Sequence, residues 1–536
     1  MERFLELADP SGPVTRPPDR AGSAGNRTTI IKAGNASGKG STRRDSGFAL
    51  ARPVPEDHFL SAARPWGYHA ALRRYACSLV RRRFAAWLSP KWRAVAACHT
   101  DVATDGVRGA TRSRLTRRRR ARAGARTARP DVEAPPDVEY PEHMALADRN
   151  YDLVLYGASG FTGKQTVEYC RQFAPSGLRW AIAGRNRSKL DTVNSASVDV
   201  LVADAQDDDA LNRLAAQTRV VATTAGPFSL YGTKLVDACV HNRTHYCDIT
   251  GETPWIRRLI DCHHAQASID GTRIITSCGF DSIPSDYGSW LVSRHIRDAL
   301  QSDCVSVSAY FRVGGGINGG TLASFFHMLD SGEIVMARDP FLLDPDPTAH
   351  TAEERARNAD PAGVHYDAEV QSWVTPFLMG MINTRVVRRT QALLGTRFEY
   401  QEYAKFNSSS VAQMFMIGSK IFEFIVRSGF GRRIIKPLLP QPGDGPSEKT
   451  MNEGFFECEF IGSAKSGERI RGIFKGQGDA GNRITVKCLC ESAFVLALSS
   501  TAPSGAKPGG VLTPVTGLGD ELTARLATAG IKFEFV

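Results

Sequence analysis

Residues 151–163 read YDLVLYGASGFTG: an unbroken apolar run entering a Gly-x-x-Gly-x-x-Gly turn. Leu153, Val154 and Leu155 do not alternate with polar residues, the pattern of a parallel strand covered on both faces. Gly157 permits a sharp exit from that strand. Gly160 lets the backbone approach a pyrophosphate, and Gly163 lets the next helix pack closely. The helix start then offers free N–H groups and a positive dipole end to phosphates. The spacing departs by one residue from G-x-G-x-x-G, so the flanking strand and the helical stretch 164–173 supply the context the motif needs.

From this point the chain alternates strands and helices, as a parallel sheet with crossovers does. Strands are predicted at 152–156, 179–183, 198–203, 220–224, 246–249 and 273–277, with helices between them. Beyond residue 300 the pattern changes. Residues 305–313 alternate as a half-buried strand, 339–363 form a polar excursion, and 455–461, 469–474 and 483–489 resemble antiparallel strands. A helix near 518–529 and a strand at 531–535 close the chain. The fold class expected is α/β: a Rossmann-type doubly wound parallel sheet over 150–300, then an α+β substrate and dimerisation domain over 301–536. Its C-terminal segment is a candidate for packing back on the first domain.

Charge divides the chain in another way. Residues 1–143 hold 27 Lys and Arg against 14 Asp and Glu, whereas the remainder holds 40 against 42. The net +11 therefore belongs to the first segment and gives no reason to assign nucleic acid to the rest. Residues 1–143 are Arg-rich and aperiodic. A nucleic-acid-binding arm and a transit peptide are weaker readings than a disordered leader or an over-extended start ahead of Met144. The 11 cysteines lack metal-ligand spacing and read as reduced, packed thiols of a cytoplasmic protein.

Position within the fold nominates ligand-binding residues. Gly157, Ser159, Gly160, Phe161, Thr162 and Gly163 make the phosphate turn. The second strand ends Ala183-Gly184-Arg185, without the carboxylate that holds an NAD ribose. Arg185 suits the 2′-phosphate of NADPH, although basic residues at a helix start can be mere decoration. Asp204 and Ala205 close the third strand near the adenine edge. Ala225, Gly226, Pro227 and Phe228 lie where the chain passes the nicotinamide, with Phe228 and Tyr231 available to wall the ring. The stretch 244–252 brings Tyr246 to the carboxyl end of strand five and the loop 277–286 brings Asp281 to that of strand six; Tyr246 is the candidate proton donor and Asp281 the candidate for orienting substrate. Asp248 and Asp286 read more simply as helix caps, and His245 as a packing or surface histidine.

The stretches GASGFTG (157–163), TAGPFSLYG (224–232), THYCDITGE (244–252) and CGFDSIPSD (278–286) resemble the saccharopine dehydrogenase-like oxidoreductases, and most closely the trans-acting enoyl reductase branch. GGGINGGTLAS (314–324), NTRVVRRT (383–390) and GGVLTPVTGLGD (509–520) add to the resemblance, which covers nearly all of 150–536 and none of 1–143. It implies an NADPH-dependent oxidoreductase with a Rossmann domain and an α+β domain. The implied reaction is reduction of an enoyl group on a lipid or polyketide-like acyl chain, free or on a carrier protein. It transfers Gly157, Gly160, Gly163 and the 224–228 turn as cofactor contacts. Reduction of an amino-acid-derived imine, and non-catalytic NADPH binding by a lipid-associated protein, are the rivals.

The partner expectations are a small-molecule or acyl substrate, no nucleic acid, a homodimer and peripheral membrane contact. The last rests on the apolar stretch 411–426 and the basic residues after it. Length alone makes that stretch a core helix more readily than an interfacial or tunnel-lining one.

Overall fold

The computed structural model describes residues 146–499 and 501–536; the expectation for residues 1–143 lies outside them. The first sheet is built from β1 (Tyr151–Tyr156), α1 (Phe161–Phe173), β2 (Trp180–Gly184), α2 (Arg187–Val193), β3 (Asp199–Val202), α3 (Asp208–Ala216) and β4 (Thr218–Thr223). It continues through α4 (Phe228–Tyr231), α5 (Thr233–His241), β5 (His245–Asp248), α6 (Thr253–Asp270), β6 (Arg273–Ile275) and α7 (Ile283–Leu300). On β1, Leu153 and Leu155 enter one hydrophobic cluster while Val154 and Tyr156 enter the other. Both faces of the strand are therefore buried, which is why its sequence does not alternate. Asn186 and Asp207 cap α2 and α3 by accepting from backbone N–H groups in their first turns.

The rest of the chain contributes β7 (Cys304–Gly314), α8 (Gly319–Asp330), α9 (Ala352–Arg357), β8 (His365–Asp367), β9 (Ser372–Pro376), α10 (Gly380–Leu394), β10 (Glu399–Phe406), α11 (Ser409–Arg427) and α12 (Gly429–Ile435). It ends with α13 (Glu448–Glu453), β11 (Phe455–Ala464), β12 (Arg469–Gln477), α14 (Thr485–Leu498), β13 (Gly510–Leu512), α15 (Pro514–Thr528) and β14 (Ile531–Phe535). The second sheet runs β14-β12-β11-β7-β10-β9-β8. All its pairs are antiparallel except β7 with β10.

The first sheet runs β13-β6-β5-β4-β1-β2-β3 and is parallel throughout. Strand order reverses between β1 and β4, the switch point at which open α/β sheets bind ligands. The seventh strand, β13, comes from the C-terminal region and pairs with β6.

Residues 483–489, expected as a strand, are helical instead: 483–484 end a π turn and 485–489 open α14. Nearly every α14 residue is buried, including Cys488, Leu489, Phe494 and Leu496 in the core cluster shared with β1 and α1. A segment apolar on all sides carries no period to separate helix from strand. The excursion 339–363 is pinned rather than loose. Arg257 donates to the carbonyl of Asp344, Arg388 to Pro340, and Arg389 to Leu343, while Leu342 and Leu343 enter the core. The stretch 411–426 is helical, as α11, but its outer side is exposed, so it is not a core helix.

Candidate functional site

The turn after β1 is shaped by backbone contacts. Gly157 has φ +82, its N–H donates to Ala183 O at 2.9 Å, and its carbonyl accepts from Gly160 N at 3.0 Å. A Cβ on Gly163 would lie 2.2 Å from Gly157 O and 2.8 Å from Ala158 Cα, so only glycine lets α1 pack here. At Gly160 a Cβ would meet only Gly157 O, at 3.3 Å, and would otherwise project into open space. No side chain caps α1 at Gly160, and an uncapped helix start leaves its first N–H groups free. Ser159, Phe161 and Thr162 flank this point and are partly exposed.

The second wall is the 224–228 turn. Thr224 N donates to Tyr156 O at 3.1 Å and Thr224 Oγ1 to Gly157 O at 3.3 Å. A Cβ on Gly157 would stand 3.0 Å from Ala225 N, so the two turns touch. Gly226 is exposed, with Ala225 and Pro227 partly so. The ring of Phe228 is only 5% exposed and lies 5.9 Å from that of Trp255. Phe228 therefore supports the turn from the core and, contrary to expectation, cannot wall the nicotinamide with a free ring face.

Sequence reasoning gave Glu252 no role, yet it organises this turn. Buried at 1% exposure, its carboxylate accepts from Phe228 N at 2.7 Å, Ser229 N at 3.0 Å and Ser229 Oγ at 2.5 Å. It also accepts from Ser324 Oγ of α8 at 2.7 Å. The signal was the acid closing the THYCDITGE stretch; what it binds is set by long-range geometry.

Tyr246, the candidate proton donor, is fully buried, and its hydroxyl donates to Asp248 Oδ2 at 2.9 Å. Burial holds that phenol well above its ordinary pKa. The side chain orients Asp248 and is sealed from any substrate, so the donor role is withdrawn. Asp248 caps no helix: its Oδ1 accepts from Thr250 N and Ser277 N at 3.0 Å each, tying the end of β5 to that of β6. Asp286 does serve a helix, though a distant one, since it accepts from Val515 N in the first turn of α15. His245 is a buried packing residue whose Nδ1 accepts from Arg273 N at 3.1 Å.

Asp281 is half-buried in the loop between β6 and α7, and burial raises its carboxyl to about 6. Beside it lies a buried polar chain. Asn383 Nδ2 donates to Glu402 Oε2 at 2.9 Å, Tyr400 OH to Glu402 Oε1 at 2.8 Å, and Ser282 Oγ to Asn383 Oδ1 at 3.4 Å. Burial, with a smaller contribution from the Asp281 charge, raises Glu402 to about 7. This is a pair of carboxyl groups able to hold protons near neutrality.

At the adenosine end, Arg185 is exposed beside Ala183, whose carbonyl receives Gly157 N. Arg187, in contrast, pairs with Asp191. Asp204 is exposed and accepts from Gln206 N at 2.9 Å, and Ala205 is buried beneath it. The glycine turn, the open Gly160, the uncapped α1 start and the exposed guanidinium at the ribose position together fit a phosphorylated nicotinamide dinucleotide. The loops after β5 and β6 are packed by the second half of the chain. Ile382 lies 2.9 Å from where a Gly251 Cβ would be, and Thr485 Oγ1 accepts from Phe280 N at 3.2 Å. The loop 440–446 lies between the starts of α1 and α8, since Cβ atoms at Gly445 and Gly319 would strike Phe161 and Gln441 respectively.

A family model described as the saccharopine dehydrogenase NADP binding domain matches residues 153–275. A putative trans-acting enoyl reductase of Mycobacterium tuberculosis is 34% identical over 424 residues, covering 73% of this chain and 99% of that protein. A trans-acting enoyl reductase of Mycobacterium bovis is 34% identical over 426 residues, 72% of this chain and 98% of its own. That of Mycobacterium leprae is 32% identical over 422 residues, with coverage of 72% and 98%. Among solved structures, apo saccharopine dehydrogenase (L-Glu forming) from Saccharomyces cerevisiae is similar with a TM-score of 0.43 at 12% identity, covering 72% of this chain and 99% of that one.

Proposed function

We propose that this chain, which belongs to the saccharopine dehydrogenase-like oxidoreductase family, reduces the α,β-double bond of an enoyl thioester carried on a lipid-like acyl chain. It is an NADP-binding oxidoreductase; the acyl substrate is our reading. NADPH, when bound, supplies the hydride that goes to the β-carbon.

The protein's own part begins with position. Gly160 and the α1 start would hold the pyrophosphate, Arg185 the 2′-phosphate, and the Ala225–Pro227 turn the nicotinamide end. Glu252 fixes that turn and joins it to α8. Asp281 holds a proton on its carboxyl and gives it to the α-carbon as the hydride arrives, then regains one from solvent. The addition thus balances as one hydride and one proton across the double bond. A carboxyl raised to about 6 is suited to this near neutral pH.

One observation favours an acyl substrate over an amino-diacid. The basic cluster Arg385, Arg388 and Arg389 is buried and engaged by the carbonyls of residues 338–343, Tyr400 and Val511. Those guanidinium groups are not free to grip substrate carboxylates.

The test is NADPH consumption by the full chain with trans-2-enoyl thioesters of increasing length, with mass spectrometry of the acyl product. A saturated product is expected, and Asp281→Asn should lower kcat by about 10²–10⁴ while leaving NADPH binding intact. Consumption of NADPH with a 2-oxo acid and an amine, and none with any enoyl thioester, would overturn the reading in favour of imine reduction.

A further inference from the structure

The outer side of α11 and α12 is apolar and bare. On α11, Val411, Met414, Ile417, Ile421 and Phe424 follow one another at three- and four-residue steps, and all are exposed. Phe430, Ile434 and Leu438 extend the stripe at four-residue steps through α12 and the turn after it. Phe424, Leu438 and Phe430 are 80%, 78% and 76% exposed. Single exposed apolar residues are ordinary on a protein surface, but a continuous row over two helices marks a contact surface.

The inner side is already taken. Val426 and Phe422 of α11 and Ile435 of α12 pack with Leu322, Phe325 and Phe326 of α8. A helix anchored along one side cannot be surrounded by lipid, so its length and hydropathy do not make α11 a membrane span here.

Charge selects the occupant. Residues 409–439 carry five basic side chains and one acidic one. Arg427 pairs with Glu423, and Arg432 and Lys436 pair with Asp330 of α8. Lys420 of α11 and Arg433 of α12 are exposed, and neither makes an ion pair among the described residues. A second copy of the chain meeting this face about a two-fold axis would oppose like charge to like charge. An anionic lipid surface complements both features, taking the apolar row into the acyl boundary and the cations at the headgroups.

We propose that the α11–α12 face is a peripheral docking surface for an anionic phospholipid bilayer. The face also lies close to the crevice. Leu322 and Phe326 of α8 support it, while Ser324 of the same helix donates to Glu252. A membrane-held acyl chain would thus be presented next to the cofactor turn. Docking does not depend on the reaction proposed above, because it is read without turnover.

The experiment is co-flotation of the full chain with vesicles of phosphatidylcholine alone and of phosphatidylcholine with about one third phosphatidylglycerol. Preferential flotation with the anionic vesicles, weakened by salt, is expected. The triple variant Phe424→Ser, Phe430→Ser, Leu438→Ser should bind at least tenfold more weakly, since each of these side chains loses its burial in the acyl boundary. Lys420→Glu with Arg433→Glu should lower the preference for anionic vesicles below that of wild type. The Arg-rich residues 1–143 are the same in every protein compared, so attraction arising there cancels. All three substituted positions of the triple variant are exposed, and an unchanged melting temperature would confirm folding. Equal flotation of wild type and triple variant would overturn the proposal. So would a concentration-dependent dimer that the triple variant abolishes, which would assign the face to a second copy.

Discussion

The carboxylate of Glu252 and the hydroxyl of Ser324 meet at 2.7 Å, joining the 225–229 turn to a helix of the second sheet's half. The same carboxylate receives two backbone N–H groups and Ser229 Oγ, so one buried acid holds four donors. Its removal leaves those donors without this partner, the N–H of Phe228 in a buried place and the others part-buried. Glu252→Ala should cost about 2–4 kcal/mol in unfolding free energy, because buried groups left unsatisfied lose more than a hydrogen bond returns. It should also weaken NADPH binding. Ser324→Ala removes only the link to α8, so it should cost about 1 kcal/mol and act mainly on turnover. Denaturant unfolding and a cofactor fluorescence titration check both; a Glu252→Ala variant as stable as wild type would refute this account of the turn.

Two glycines in the phosphate turn separate folding from binding. An alanine methyl at 163 would be driven into Gly157 O and Ala158, both backbone, so Gly163→Ala should destabilise the protein by several kcal/mol and yield little of it. At 160 the methyl has space on the protein side, so Gly160→Ala should melt within about 1 kcal/mol of wild type. It should still bind NADPH at least tenfold more weakly, because the methyl stands where the pyrophosphate approaches. Equal loss of melting temperature in both variants would mean that Gly160 serves the fold and not the ligand.

Legibility in the sequence followed the range of the forces involved. The β1 strand, its glycine turn and the alternation through α7 could be read because burial on both faces of a parallel strand leaves a local apolar run. By contrast, β13 has three residues and pairs with β6 more than 230 positions earlier, so no local pattern announced it. Residues 485–498 lack a period because α14 is buried on nearly every side. Tyr246 looked catalytic because its stretch, 244–252, runs to the ligand-binding end of the sheet. A hydroxyl two residues from Asp248 on one strand shares its face, and the covering α6 sealed that face. Conversely, α11 read as a core helix on its length, and sequence does not say which apolar residues find a partner. Glu252 was missed because its partners lie 23 to 72 positions away.

Arg185 gives a cofactor-selective test. Its guanidinium is exposed and makes no ion pair with a carboxylate among the described residues, so it is available at the end of β2. A charge-assisted bond to the 2′-phosphate contributes about 1.5–3 kcal/mol. Arg185→Gln should therefore raise the Kd for NADPH by about 10- to 100-fold and leave that for NADH within about twofold. Parallel fluorescence titrations with the two cofactors decide the matter. A proportionate loss of both would move Arg185 from phosphate recognition to adenine stacking.

Glu402 yields a pH dependence whose sign is fixed by its surroundings. Burial raises its carboxyl to about 7, while in the unfolded chain it titrates near the ordinary glutamate value, about 4.3. The folded protein thus holds the proton more tightly. The stabilisation from protonated Glu402 is complete below about pH 4 and is lost as pH rises through about 7. Glu402→Gln keeps an acceptor for Asn383 Nδ2 and a partner for Tyr400 OH but cannot ionise. Between pH 5 and pH 8 the wild type should therefore lose stability relative to the variant, by on the order of 3 kcal/mol at most. Asp248 and Asp286, raised to about 7 by burial, titrate in both proteins, so the difference reports Glu402 together with its coupling to Asp281. Urea unfolding of the pair at several pH values provides the measurement. A stability difference that stayed constant across that window would show that Glu402 is charged throughout, and that Asp281 has no protonated neighbour beside the crevice.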